Sequence, residues 1–118
     1  MGFQTINLSA LDKMNPSAYA SSMNIEQSKK DRRLSEIFKT LSEPNRIRIV
    51  RILHHSDREL TCSEISEHLN ISKSTVSYHF KALRQAGLTN TRQVAQTKYL
   101  SINEKTFREY LPSFLDSL

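Results

Sequence analysis

Apolar side chains recur at helical spacing over most of the chain. Residues 26–41 carry one such stripe, which predicts a first helix; its members are Leu34, Ile37, Phe38 and Leu41. Pro44 disfavours a helical residue before it and suits the start of a new helix. A second helix is therefore predicted from Pro44 to about His54, and its broad apolar face indicates a central position.

A third and a fourth helix are predicted from their caps. The stretch TCSE, from Thr61 to Glu64, fits a capping box, and Ser72 is a favourable N-cap for the helix that follows a short turn. Gly87 is placed to end the fourth helix in a left-handed conformation. The side chains predicted to face inward are Ile65, Leu69, Val76, His79, Phe80 and Leu83.

The period changes after Gly87. Residues 88–94 and 98–102 alternate like two short strands joined near Ala95 and Gln96. A last helix is predicted from about Asn103, and Pro112 should kink or split it. Its apolar stripe consists of Phe107, Tyr110, Leu111, Phe114, Leu115 and Leu118.

Two short helices joined by a tight turn and followed by a strand pair indicate a winged helix-turn-helix. The predicted fold class is α+β and mainly helical, with about five helices plus a two-stranded wing. Residues 26–118 would form this domain. Residues 1–25 would be an N-terminal extension, holding a short helix after Pro16 or serving as a dimer arm.

Positive charge is concentrated in one segment. The chain has 17 Lys and Arg residues against 12 Asp and Glu residues, for a net charge of +5. No acidic residue lies between Glu67 and Glu104, and the five basic residues there account for the whole net charge. Such a lobe favours a face that binds a polyanion, and the alternative is a solvated surface without a partner.

The fourth helix has the features of a recognition helix, which must be narrow at its leading face to enter the major groove of double-stranded DNA. If Val76 faces the core, the helical rotation of 100° per residue determines which positions of the fourth helix face outward and which lie at its leading end. The predicted DNA contacts there are Ser72, Lys73, Ser74, Thr75, Ser77, Tyr78 and Lys81. The wing would add Arg92, Gln96 and Lys98 at a phosphate or in the minor groove.

Three segments carry a resemblance to a known family. They are LSEIFKTLSEPNRIRIVRIL (34–53), ISEHLNISKSTVSYHFKALRQAGL (65–88) and TKYLSI (97–102), and they resemble the ArsR-type winged-helix transcriptional repressors. The resemblance implies a homodimer that represses its own operon or neighbouring genes. We expect the dimer to bind a pseudo-palindromic operator. It also implies that the first and last helices form the dimer interface.

The stripe on the last helix also favours a dimer interface from the residues alone. A terminal helix has few internal partners in so small a domain, although ordinary core packing is the alternative. The predicted interface positions are Leu34, Phe38, Phe107, Tyr110, Leu111, Phe114 and Leu115.

The chain departs from the family at its metal-binding positions. One family pattern places two cysteines where this chain has Thr61 and Ser63, and another places Asp and His where it has Glu104 and Thr106. We therefore expect no metal and no cofactor. The wing also lacks the family's turn glycine, since Ala95 stands there.

Cys62, the one cysteine, raises a separate question. It is either a small buried hydrophobe or a thiol sensor near a helix N-terminus. An irregular metal site combining it with His54, His55 and His68 is a further alternative, although no spacing supports it.

Other functional classes have little support. There is no nucleophile with a paired base and no phosphate-cradling glycine loop, so we do not expect an enzyme. A single cysteine and no apolar run near about 18 residues favour the cytoplasm. The alternative function is a winged-helix protein-interaction module that does not bind DNA.

Overall fold

The computed structural model describes residues 24–118. The chain divides into two compact units, residues 1–33 and residues 34–118. In the described part of the first unit, the Oδ1 of Asn24 accepts a hydrogen bond from the backbone N–H of Gln27 at 2.6 Å and caps a helix. The helix predicted after Pro16 lies outside the described residues.

Five α-helices and one short 3-10 helix form within residues 24–118. The α-helices are α1 (Ile25–Leu41), α2 (Pro44–His55), α3 (Cys62–Leu69), α4 (Lys73–Gln85) and α5 (Glu104–Tyr110), and the 3-10 helix is Leu115–Ser117. No helix in this part of the chain has the length and apolar character needed to span a membrane. The predicted number and order of α-helices are confirmed.

The capping box that begins α3 is present as predicted. The hydroxyl of Thr61 accepts from the backbone N–H of Glu64, and the Glu64 carboxylate accepts from the backbone N–H of Thr61 at 3.0 Å. Arg58 forms an ion pair with the same carboxylate. Together, Arg58 and the Thr61 N–H lower the pKa of Glu64 from 4.5 to about 2, so Glu64 stays ionised while it caps the helix.

Gly87 ends α4 as its position in the sequence predicts. It adopts a φ of 77°, in the left-handed region that glycine enters at little cost. The backbone N–H of Gly87 donates to the carbonyl of Arg84 at 2.9 Å, and that of Leu88 donates to the carbonyl of Leu83 at 3.0 Å. This is the Schellman pattern, and the buried Leu88 supplies its apolar contact.

The sheet has three strands where the sequence predicted two. Strands β2 (Thr89–Val94) and β3 (Thr97–Ile102) form the predicted antiparallel hairpin, with Arg92 opposite Tyr99. A third strand, β1 (Leu60–Thr61), pairs with the outer side of β3. Two residues are too few to show a strand period, which is why the sequence pattern missed β1.

A single apolar core joins the helices to the sheet. Its fully buried members include Ile37, Ile49, Val50, Ile65, Val76, Leu83, Leu88 and Leu100. The inward positions predicted for α3 and α4 are all buried. Packing therefore fixes the orientation of α4, and its opposite face is left for solvent.

Pro112 limits α5, as predicted. The helix stops at Tyr110, and the chain continues irregularly to the 3-10 helix at Leu115–Ser117. Asn103 caps its start and also donates from Nδ2 to the carbonyl of Gly87 at 2.9 Å. This bond ties the beginning of α5 to the end of α4.

Candidate nucleic-acid interface

The outer face of α4 is open to solvent. Among its predicted contact residues, Lys73, Ser74, Ser77, Tyr78 and Lys81 are exposed. The Tyr78 side chain is 66% exposed, which is unusual for a large aromatic residue. The structure thus brings these five residues together on one accessible helical surface.

Ser72 and Thr75 serve the helix itself. The Ser72 hydroxyl accepts from the backbone N–H of Thr75 at 3.1 Å and lies 2.8 Å from the Thr75 hydroxyl. It also lies 3.1 Å from the hydroxyl of Ser74. Ser72 is exposed and Thr75 is half-buried, so the N-cap and the predicted DNA contacts occupy the same turn.

Tyr78 contacts Arg46 of α2 and its own neighbour on α4, His79. The Arg46 guanidinium lies 5.8 Å from the centre of the Tyr78 ring, and the His79 ring meets Tyr78 edge-on at 5.2 Å. The Nε of Arg46 donates to Nδ1 of the buried His79 at 3.2 Å. A carboxylate oxygen of Glu43 lies 3.4 Å from the same nitrogen. Arg46 therefore links α2 to the recognition face of α4.

One wing residue predicted to contact DNA, Arg92, already forms an ion pair within the chain. Arg92 donates to the Glu59 carboxylate at 2.7 and 3.0 Å, and its guanidinium lies 4.8 Å from the Tyr99 ring centre. This ion pair lowers the pKa of Glu59. Gln96 and Lys98 are exposed at the hairpin tip and along β3. The contribution of Arg92 to the positive lobe is thus offset by Glu59, which lies outside the acid-free segment.

The turn of the wing is strained because it lacks glycine. Ala95 adopts a φ of 55°, in the left-handed region that costs a residue with a Cβ atom about 1 kcal/mol. The side-chain amide of Gln93 donates to the Ala95 carbonyl at 3.1 Å. This bond supports the turn that carries Gln96.

The predicted dimer positions fall into two groups. Phe38 is 57% exposed on α1, and four others are partly buried: Leu34, Tyr110, Leu111 and Phe114. Phe107 and Leu115 are instead buried in the core of the chain, at 2% and 8% exposure. Phe107 stacks on Phe114 inside the same chain. Burial favours the alternative of core packing for Phe107 and Leu115, and the interface role of all seven positions stays a prediction.

Cys62 is half-buried and packs against the core. Burial raises the pKa of its thiol, and the charge of Lys98 opposes that shift. A raised pKa leaves less of the reactive thiolate at neutral pH. These observations favour the small hydrophobe over the thiol sensor.

Two of the four positions that match metal ligands of the resembling family, Thr61 and Thr106, have local contacts here. The Thr61 hydroxyl is part of the capping box, and Thr106 is buried with its N–H bonded to Asn103. Across residues 24–118 no three His, Cys, Asp or Glu side chains are grouped so that they could hold a metal ion.

Comparison with known proteins adds independent information. A family model described as a helix-turn-helix domain matches residues 41–92, which span α2, α3, α4 and the first part of the wing. YceK of Bacillus subtilis (strain 168), described as an uncharacterized HTH-type transcriptional regulator, is 51% identical over 100 residues, covering 85% of this chain and 99% of YceK.

Two further proteins are similar to this chain: one is a named repressor and the other has a solved structure. The arsenical resistance operon repressor of Staphylococcus xylosus is 35% identical, over 70% of this chain and 77% of that protein. The homodimeric winged helix-turn-helix DNA-binding domain Mb0332 of Mycobacterium bovis, a possible ArsR-family regulator, matches with a TM-score of 0.67. It is 19% identical and the match covers 80% of this chain and 87% of that domain, so it supports the fold alone.

Proposed function

The chain belongs to the ArsR family of winged helix-turn-helix transcriptional regulators, and on that premise we propose that it is a homodimeric repressor that binds a specific DNA operator. The operator would be pseudo-palindromic, because a two-fold dimer presents the same face to each half-site. Binding near a promoter would block the polymerase.

One observation carries this proposal: the exposed face of α4 combines short polar side chains, one aromatic ring and lysines, and has no carboxylate. Ser74 and Ser77 keep the leading face narrow, so that base edges are within reach of Tyr78. Lys73 lies in the first helical turn, where its charge and the free backbone N–H groups favour a phosphate. Val76 and Phe80 are buried on the opposite side and set this orientation.

The mechanism we propose has two steps of recognition. Lysines on α4 and along the wing neutralise backbone phosphates and set the position of α4 on the duplex. These phosphate contacts do not discriminate between DNA sequences. Tyr78 and the neighbouring hydroxyls then contact base edges in the major groove. In a dimer, the two α4 helices would occupy successive major grooves about 34 Å apart.

The exposed aromatic ring of Phe38 supports a dimer. Phe38 is 57% exposed on α1, one helical turn after the partly exposed Leu34, and a partner would cover both side chains. The homodimeric state of the Mycobacterium bovis domain is consistent with this assembly. We propose that the protein binds DNA in the cytoplasm and is not an enzyme. Its relatives are named as transcriptional regulators.

The salt dependence of DNA affinity tests the proposal. Four basic side chains in the acid-free segment have no ion-pair or hydrogen-bond partner within residues 24–118: Lys73, Lys81, Arg84 and Lys98. If a dimer uses most of them, the logarithm of the association constant should fall with the logarithm of salt with a slope of about −5 or steeper. Fluorescence anisotropy of a labelled duplex measures this slope, and a slope near zero would argue against the proposal.

A further inference from the structure

His79 is a buried titratable side chain on the inner side of α4, and the proposed DNA contacts do not use it. It is 6% exposed and follows Tyr78 in the sequence. Three elements that pack against α4 are α2, α3 and β2. Of these, α2 brings charged groups to His79: Arg46 from the helix and Glu43 from its N-cap position. Within residues 24–118, the titratable groups of α3 and β2 form no ion pair or hydrogen bond with His79; they are Cys62, Glu64, Glu67, His68 and Arg92.

Two groups compete for one nitrogen of His79. The Nε of Arg46 donates to Nδ1 at 3.2 Å, and the Oε2 of Glu43 lies 3.4 Å from the same atom. Nδ1 can serve one of them at a time, because it accepts from Arg46 through a lone pair and can bind a carboxylate only as an N–H donor. In the observed arrangement Nδ1 accepts from Arg46, so the neutral ring carries its hydrogen on Nε2.

The carboxylate of Glu43 is the group that lacks a partner. Its Oε2 is buried and accepts no hydrogen bond within residues 24–118. A buried oxygen without a donor destabilises the fold, and a charged one does so more strongly. A proton on Nδ1 would supply the missing donor, because the two atoms are already within ion-pair distance.

Arg46 connects this nitrogen to Tyr78. Its guanidinium lies 5.8 Å from the centre of the Tyr78 ring, within the range of a cation–π contact. A second hydrogen bond, from Nη1 of Arg46 to the carbonyl of Thr40, is longer, at 3.4 Å. A protonated His79 could no longer accept from Arg46 and would repel its charge. Protonation would therefore loosen the hold on the guanidinium that contacts Tyr78.

We infer that His79 is a positioning residue for Tyr78 that exchanges partners on protonation. With Nδ1 unprotonated, His79 holds Arg46 against Tyr78. When Nδ1 takes up a proton from water, it donates to Glu43 and releases Arg46. The effect on DNA recognition rests on the proposed function, whereas the exchange of partners at His79 does not.

Discrimination between DNA sequences tests the effect on Tyr78. The probes are a duplex enriched from a random-sequence pool and its scrambled version, titrated with the full chain by fluorescence anisotropy at about pH 8 and about pH 5.5. The ratio of the two affinities is compared, because protonation of exposed histidines strengthens binding to any duplex. We expect this ratio to fall about fivefold in the wild type at the lower pH, since a dimer loses two contacts between Arg46 and Tyr78.

His79→Asn removes the titration and keeps an acceptor. Its amide oxygen can accept from Arg46 and takes up no proton, so the affinity ratio should change by less than about twofold between the two pH values. His68→Asn is the matched control, because it removes an exposed imidazole from α3 and should keep the fall of the wild type. If His79→Asn does not fold, Glu43→Gln repeats the test, since loss of the carboxylate should make the fall smaller; Glu67→Gln, at an exposed position, is its control.

Nitrogen-15 NMR of the full chain follows the exchange without DNA. At about pH 8 the His79 ring should carry its hydrogen on Nε2, and acidification to about pH 5 should add Nδ1–H and shift the Arg46 Nε–H signal. A ring that stays neutral, or that gains a proton without any change at Arg46, would overturn the exchange. A protonated ring with an unchanged affinity ratio, or an equal fall in His79→Asn, would overturn the link to Tyr78. If no duplex is enriched, the proposed function fails, and the NMR result still decides the exchange.

Discussion

Replacing both Lys73 and Tyr78 with Ala is expected to weaken operator binding on the order of 1,000-fold, the largest effect on function that the structure predicts. A dimer would lose four contacts, two at each half-site. At about 1 kcal/mol for each contact, the total is about 4 kcal/mol, or roughly three factors of ten. Neither residue supports the core, because both are exposed, so the variant should fold normally.

Made singly, the two substitutions should weaken DNA binding in different ways. Lys73→Ala removes a phosphate contact, so it should weaken binding to all sequences and make the salt dependence shallower. Tyr78→Ala should reduce discrimination between the operator and a scrambled duplex, with little change in the salt dependence. Anisotropy titrations with both duplexes at several salt concentrations separate these effects.

Lys105→Ala is the control for loss of charge. Lys105 is exposed on α5, outside the acid-free segment, and its removal lowers the net charge by the same amount as Lys73→Ala. Operator affinity should change by less than about threefold. Equal losses in Lys105→Ala and Lys73→Ala would mean that overall charge, and not the face of α4, drives binding.

Phe107→Ala is expected to reduce the free energy of unfolding by about 3–5 kcal/mol, the largest effect on stability. Phe107 is 2% exposed and stacks on Phe114 with a distance of 6.0 Å between ring centres. Removing the ring leaves a cavity in a rigid core, and this cost is a large part of the total stability of a small domain. Urea unfolding followed by circular dichroism measures it.

Phe38→Ala makes the same chemical change at an exposed position. Since Phe38 is 57% exposed, loss of its ring should leave the packing of the protomer intact. It should instead weaken the dimer, which sedimentation equilibrium detects as dissociation at a higher protein concentration. Unfolding must be compared at one protein concentration, because the stability of a dimer depends on it.

The pair of variants separates core from interface. A Phe38→Ala protein that dimerises as tightly as the wild type would contradict the interface role of Phe38. A Phe107→Ala protein with unchanged stability would contradict the assignment of α5 to the core of the protomer.

Elements set by short-range chemistry were predictable from the sequence. The capping box at Thr61, the N-cap at Ser72 and the helix end at Gly87 each depend on residues within six positions of one another. The recognition helix was predictable for the same reason, since the inward stripe through Val76 and Leu83 fixes which face is left outside.

Contacts between distant residues could not be predicted. Arg46 reaches His79 and Glu59 reaches Arg92, each across 33 positions of sequence. The second contact changes the site, because it pairs a wing arginine that the sequence presents as free. The same limit applies to Phe38 and Phe107. Each lies on an apolar helical stripe in the sequence, and only the packing of the folded chain leaves Phe38 exposed and Phe107 buried.

Selection of bound DNA from a random-sequence pool by the purified protein tests the central claim most directly. A sequence-specific dimer predicts an enriched inverted repeat whose half-sites have centres separated by one helical turn, about 10–10.5 base pairs, or a multiple of it. The enrichment should disappear with the Lys73→Ala, Tyr78→Ala protein. No enriched sequence, together with no binding at low salt, would contradict the repressor and favour a winged-helix module that binds another protein.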